Sequence, residues 1–106
     1  MRLTELDPRW FTFAHPADGV DIRFGLTFLC PHCRTQRLGV EFDPPIDPAG
    51  LIAKFGIQFP RANRVWNREG DTFETLTLSP SIDASRAATI EFDGHWHGHI
   101  TAGNVV

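Results

Sequence analysis

Two groups of metal-ligand side chains, far apart in the chain, constrain its fold more than any other feature. Cys30-Pro31-His32-Cys33 holds both cysteines of the sequence. His95-Trp96-His97-Gly98-His99 holds three of the five histidines, at alternate positions. Two thiolates and two imidazoles make the ligand set of a closed tetrahedral zinc site. If one ion is shared, the chain around residue 30 and the chain around residue 97 must be spatial neighbours, and any fold that separates them is excluded.

The 106 residues support one domain, 1–106, with a modest core. Hydrophobic residues make up 42% and charged residues 22%, the balance of a globular chain. Eight prolines and nine glycines favour short elements and many turns over long helices. The net charge of −3 argues against a surface coated by nucleic acid. No stretch approaches the roughly 20 apolar residues of a membrane span, and Met1-Arg2-Leu3-Thr4-Glu5 lacks an apolar signal core. The expected location is the cytoplasm, or a virion assembled there, with no membrane partner. In that compartment cysteines are more often metal ligands or catalytic groups than disulfides.

Hydrophobic periodicity predicts a mostly β domain, a small antiparallel sandwich or rolled sheet with little helix. Val20, Ile22, Phe24, Leu26 and Phe28 alternate with other residues over 20–29, the period of a strand. Leu38, Val40 and Phe42 repeat the pattern, so 30–37 becomes a hairpin loop with Cys30 and Cys33 at its tip. Residues 43–50 read as a turn-rich connection, 51–59 as either a short helix or a strand, and 60–71 as loop. Thr72 to Leu78 reads as a strand broken by Ser79-Pro80-Ser81. Ala87 to Phe92 and His95 to Thr101 read as a hairpin around Asp93-Gly94, a strong two-residue turn signal. In that register Phe92 pairs with His95 and Ile90 with His97. The histidines then share one face, and Trp96 and Ile100 point the other way.

A Cys-x-x-Cys turn can hold two sulfurs about 2.3 Å from one zinc ion. Histidines at i and i+2 on a strand place two imidazoles on one face, with Cα atoms about 6.5–7 Å apart. Cys-Pro-His-Cys is also the active-site sequence of periplasmic thiol oxidants. Their chemistry needs the first cysteine at a helix N-terminus, and here the residues that follow read as turn and strand. A zinc-dependent hydrolase would keep one coordination position open and need a general base, for which Glu91 and Asp93 are nearest. Lys54, Arg61, Arg64 and Arg68, interleaved with Phe55, Phe59 and Trp66, form the footprint of a single-stranded nucleic-acid binder. The plainer reading of that segment is a solvated loop whose aromatics return to the core, and the acidic net charge favours it.

The order of the motifs resembles a family of small uncharacterised phage and bacterial proteins whose members are often mislabelled as ammonia monooxygenases. The matching residues are Cys30, Cys33, Trp66, Leu78-Ser79-Pro80-Ser81-Ile82, His95-Trp96-His97-Gly98, Ile100 and Gly103. The resemblance covers about residues 24–106. It implies a zinc-ribbon-like β domain of phage or mobile-element origin without an established activity. Gly94 stands where relatives carry a cysteine, which makes His95 the nearest substitute. His99 stands where they carry an apolar or aromatic residue, and His97 matches the pattern.

The expectation is therefore a zinc-stabilised structural or interaction module, not an enzyme, with Cys30, Cys33, His95 and His97 around one zinc ion and His99 outside. A protein partner is expected. The alternatives are the zinc hydrolase and a nucleic-acid accessory protein using Lys54, Arg61, Arg64, Trp66 and Arg68.

Overall fold

Among the described residues, seven strands follow one another in chain order across one curled sheet that forms a half-barrel. The computed structural model describes residues 1–14, 21–48, 50–58, 64–83 and 96–106. The strands are β1 (Arg9–Ala14), β2 (Asp21–Leu29), β3 (Arg37–Ile46), β4 (Val65–Glu69), β5 (Thr77–Asp83), β6 (His97–Thr101) and β7 (Asn104–Val105). All neighbours are antiparallel except β3 and β4, which run parallel. A parallel step needs a crossover, and the connection contains the short helix α1 (Leu51–Phe55). The Asp47 carboxylate accepts the backbone N–H groups of Leu51 and Ile52, each at 2.9 Å, and so supplies the cap that starts this helix.

The expected mostly β fold with little helix is what forms, as a rolled sheet rather than a sandwich. The β2–β3 hairpin is present, with Phe28 opposite Leu38 and Leu29 opposite Arg37. Leu26, Phe28, Leu38, Val40 and Phe42 line the concave face and are buried. Phe24 departs from the predicted alternation. Gly25 pairs with Phe11 and Arg23 with Thr12, so Phe24 is an extra residue in a bulge. Its ring stacks on Phe11 instead, at 5.8 Å between centroids.

Further differences follow from how the strands pair. Strand β4 lies inside the segment read as loop, because its five residues show no clean alternation and are recognised through Phe42 and Leu78 on either side. Strand β3 continues through Asp43-Pro44-Pro45, and β5 continues through Ser79-Pro80-Ser81. Proline is tolerated there because both segments fall in register irregularities, where a ladder N–H is not required. Residues 72–75 form a turn, and the strand expected at 72–78 begins only at Thr77. Strand β1 carries no prediction from the sequence, since its pattern Arg-Trp-Phe-Thr-Phe-Ala is apolar on both faces. The hairpin expected around Asp93-Gly94, including Ile90, Phe92 and His95, lies outside the described residues.

The concave face is covered by the chain's first residues. Leu3–Leu6 form a single 3₁₀ turn, and Leu3 and Leu6 are both buried in the core. Leu3 N–H donates to Gly103 O at 2.8 Å and Val105 N–H to Met1 O at 2.7 Å, so this segment also covers the edge of β7. Between β6 and β7, Ala102 has φ 47° and Gly103 φ 76°, the positive pair that a tight two-residue hairpin demands. A Cβ on Gly103 would also press against the Glu74 carbonyl.

Gly103→Ala therefore combines left-handed strain with a backbone clash. It is expected to lower stability by about 2 kcal/mol or more, read as a lower urea midpoint with unchanged slope.

Candidate functional site

The cysteine turn closes the β2–β3 hairpin. Its backbone is held by Cys30 N–H donating to Gln36 O and Arg34 N–H donating to Cys30 O, both at 2.8 Å. Arg34 takes φ 59°, which reverses the chain directly after Cys33 and aims backbone N–H groups at the sulfur. Gln36 N–H donates to Cys33 Sγ at 3.4 Å. The two cysteines are free thiols, Cys30 buried in the core and Cys33 half-buried at its margin.

These contacts favour negative charge on sulfur. Backbone hydrogen bonding from Thr35, then from Gln36, then the Thr35 side chain outweigh partial burial and lower the Cys33 thiol to about 6, with a smaller contribution from Cys30. A thiolate at neutral pH is the form that binds metal and the form that reacts with electrophiles.

The histidine strand β6 has one side on the core and the other exposed. Trp96 turns inward and meets Phe28 edge-on, with centroids 5.9 Å apart. Gly98 and Ile100 share the buried side, and His97 and His99 are exposed. The expected opposition between His97 and Trp96 with Ile100 is thus what forms. Among the described residues, the strand partner of His97 is Asp83 of β5. Its Nε2 lies 3.3 Å from Ser81 Oγ.

Zinc can be tested against these positions. The thiol half fits, with two sulfur ligands on one turn and N–H donors directed at one of them. The imidazole half is not gathered. Cys30, Cys33 and His97 do not converge, and no group of three or more His, Cys, Asp or Glu among the described residues is placed to hold a metal ion. His95 lies outside those residues.

Of the five residues expected to contact nucleic acid, the four described do not form one surface. Arg68 is committed within the fold: Nε donates to Pro44 O at 2.7 Å, Nη1 donates to Gly70 O, and the guanidinium lies over the Phe42 ring. Lys54 sits on α1 against the Phe55 ring, and Arg61 lies outside the described residues. Arg64 and Trp66 stay together, with the guanidinium 5.3 Å from the indole centroid. Trp66 Nε1 donates to Ser81 O at 3.2 Å, a carbonyl in the irregular stretch of β5. Trp66 also packs against the core, as the plainer reading of the segment required.

Arg64 and Trp66 line a cavity of about 280 Å³ together with Phe11, Gly39, Val40 and Glu41. Phe11 and Glu41 carry no expectation from the sequence as part of a site. The available signal was the pair Gly25 and Gly39 inside strands, since glycine there marks a close approach. A Cβ at Gly25 would come within 2.8 Å of the Phe11 ring, and one at Gly39 within 3.2 Å, so Phe11 lies flat on the sheet only because both are glycine.

Comparison with protein-family models, curated proteins and solved structures finds no match. No helix among the described residues is long and apolar enough to cross a membrane.

In the reduced, metal-free protein, Cys33 is expected to be alkylated well ahead of buried Cys30. Because its pKa is lowered, the rate should be nearly flat above pH 7 and fall as pH drops through about 6. Mass spectrometry after timed iodoacetamide quenching reads both effects. A rate that climbs steadily to pH 9 would show an ordinary thiol.

Proposed function

We propose that the chain is a small zinc-binding structural or interaction module, and that Cys30 and Cys33 supply the thiolate half of its site. The observation that carries this reading is the turn at 30–36, where Gln36 N–H points at Cys33 Sγ and Arg34 takes the left-handed conformation that makes this possible. Hydrogen bonds from backbone N–H to sulfur stabilise a coordinating thiolate and orient it, as outer-shell contacts do at metal sites generally. The Phe28–Trp96 contact adds support. Phe28 lies two residues before Cys30, and Trp96 lies between His95 and His97, so the two ligand-bearing segments share one core contact. In this reading His95 and His97 complete the set, and bringing His97 inward requires it to give up Ser81.

Such a site would add to a core that is small for a curled seven-stranded sheet. The reading is of an interaction role rather than a hydrolase. The phage or mobile-element origin rests on the motif resemblance alone, and a protein partner is the corresponding expectation.

Zinc titration of the reduced protein should reach one equivalent. Cys30→Ser and Cys33→Ser should each abolish tight binding, His95→Ala and His97→Ala should weaken it about 10- to 100-fold, and His99→Ala should leave it unchanged. Full zinc affinity in His95→Ala with loss in His99→Ala would exchange those two ligands. Undiminished binding in both cysteine variants would refute the site.

Chelation gives a separate check on the structural role. Removing bound zinc should lower the thermal midpoint of the native chain and leave Cys33→Ser unaffected. An unchanged midpoint after verified zinc loss would limit the metal to a non-structural role.

A further inference from the structure

Two thiols on one turn can do more than hold a metal ion, and here they differ sharply in access. We infer that Cys30 and Cys33 form a reversible disulfide by exchange with a low-molecular-weight disulfide such as oxidised glutathione, with Cys33 reacting first and Cys30 resolving the adduct, so that oxidation empties the metal site. The emptying rests on the zinc reading proposed above; the exchange rests on the turn alone.

Separation comes first. Arg34 N–H donates to Cys30 O at 2.8 Å, a bond between residues four apart that closes one helix-like turn. Residues one level apart on such a turn are separated by roughly 5 Å. A disulfide needs Cα atoms about 4.4–6.8 Å apart, so this turn suits one. The Cys30 side chain already hydrogen-bonds to Cys33.

Access sets the order of reaction. Cys30 is fully buried in the core, and Cys33 is half-buried at its margin. A reagent from solution meets Cys33, and Cys30 is reached by a sulfur already on the turn. A helix N-terminus would impose the opposite order by activating the first cysteine. The surroundings of Cys33 suit an anionic disulfide. Gln36 N–H donates to its Sγ at 3.4 Å and supports negative charge on sulfur as it attacks. Arg34 is exposed beside it, and its guanidinium meets the Met1 sulfur at 3.9 Å rather than a carboxylate among the described residues. Its charge is thus available to the carboxylates of glutathione.

The exchange takes two steps. The Cys33 sulfur bonds to one glutathione sulfur, the glutathione S–S bond breaks, and one glutathione leaves. The Cys30 sulfur then bonds to the Cys33 sulfur, the mixed S–S bond breaks, and the second glutathione leaves. The cysteines lose two electrons and the glutathione disulfide gains them. In the metal-free chain the two cysteine protons end on the two glutathione thiols; from the zinc-bound form, water supplies those protons. A sulfur in a disulfide is no longer a thiolate ligand, so both sulfur ligands are lost together and the zinc is released.

The test treats the full chain, both metal-free and loaded with one equivalent of zinc, with oxidised glutathione in excess over reduced glutathione. The metal-free chain is expected to become lighter by two hydrogens and to take up no iodoacetamide. The loaded chain should release its zinc to a colorimetric chelator in step with the loss of thiols, and reduced glutathione alone should release none. A phosphine reductant should restore the thiols and zinc uptake. Acid quenching at early times, with peptide mapping of the native chain, should find the glutathione adduct on Cys33. That adduct should accumulate in Cys30→Ser, whereas Cys30 in Cys33→Ser should be modified at least about tenfold more slowly. Mapping on the native chain reads the order of attack even if a variant fails to fold. Thiols that stay free in the metal-free chain, or an early adduct on Cys30, would overturn the inference and leave the zinc reading standing. Disulfide formation with zinc retained would overturn the link between oxidation and release. A reduced chain that takes up no zinc would mark a failure of the zinc reading itself, and the switch would fall with it whatever the thiols do.

Discussion

A sheet that curls without closing has one concave face to keep dry and two edges to satisfy, and the first residues of this chain serve both needs at one end. Leu3 and Leu6 fill the concave face from the 3₁₀ turn. The backbone of residues 1–3 pairs with residues 103–105 through Leu3 N–H to Gly103 O and Val105 N–H to Met1 O. Without that segment, part of the core cluster that Leu3 and Leu6 join would lose its cover. Two fully buried leucines contribute roughly 3–6 kcal/mol by transfer, a large share of the net stability of a domain this size. The strands beneath this cover carry the cysteine turn at the end of β2 and the cavity beside β3.

The curvature itself comes from the register irregularities. Phe24 is the extra residue on β2, Pro44 and Pro45 occupy the stretch of β3 that faces it, and Pro80 occupies the stretch of β5 opposite β6. Bulges raise local twist and re-aim side chains. Here they turn Phe24 to the outer face against Phe11 and free the Ser81 carbonyl for the Trp66 indole. Ser81 thereby joins both candidate regions, since its hydroxyl lies against His97 and its carbonyl holds Trp66. A ligand change at either region would be felt by the same residue.

The two candidate sites use different physics. The cysteine turn is made by local backbone conformation: a left-handed Arg34 and a short loop aim N–H groups at sulfur, whatever the rest of the sheet does. The cavity is assembled from β1, β3 and the start of β4, and no two of those elements are contiguous in sequence. Its floor requires two glycines on adjacent strands so that one phenylalanine can lie across them.

The sequence alone determined what depends on nearby residues. The alternation of Ile22, Leu26 and Phe28 and of Leu38, Val40 and Phe42 specified the central hairpin, and Cys-Pro-His-Cys specified the turn at its tip. Residues 97–101 were legible for the same reason, with Trp96 and Ile100 opposed to His97. Tertiary structure decided whatever was set by pairing at a distance. Val65–Glu69 is a strand because Phe42 and Leu78 flank it, the proline segments of β3 and β5 remain extended because their partners skip a register there, and Arg68 is a structural residue because Pro44 and Gly70 carbonyls lie within its reach. Periodicity and spacing report what a residue's neighbours in the chain demand. They carry no information about which distant backbone will supply a hydrogen bond or leave a gap, and those choices made the cavity and separated Arg68 and Lys54 from Arg64 and Trp66.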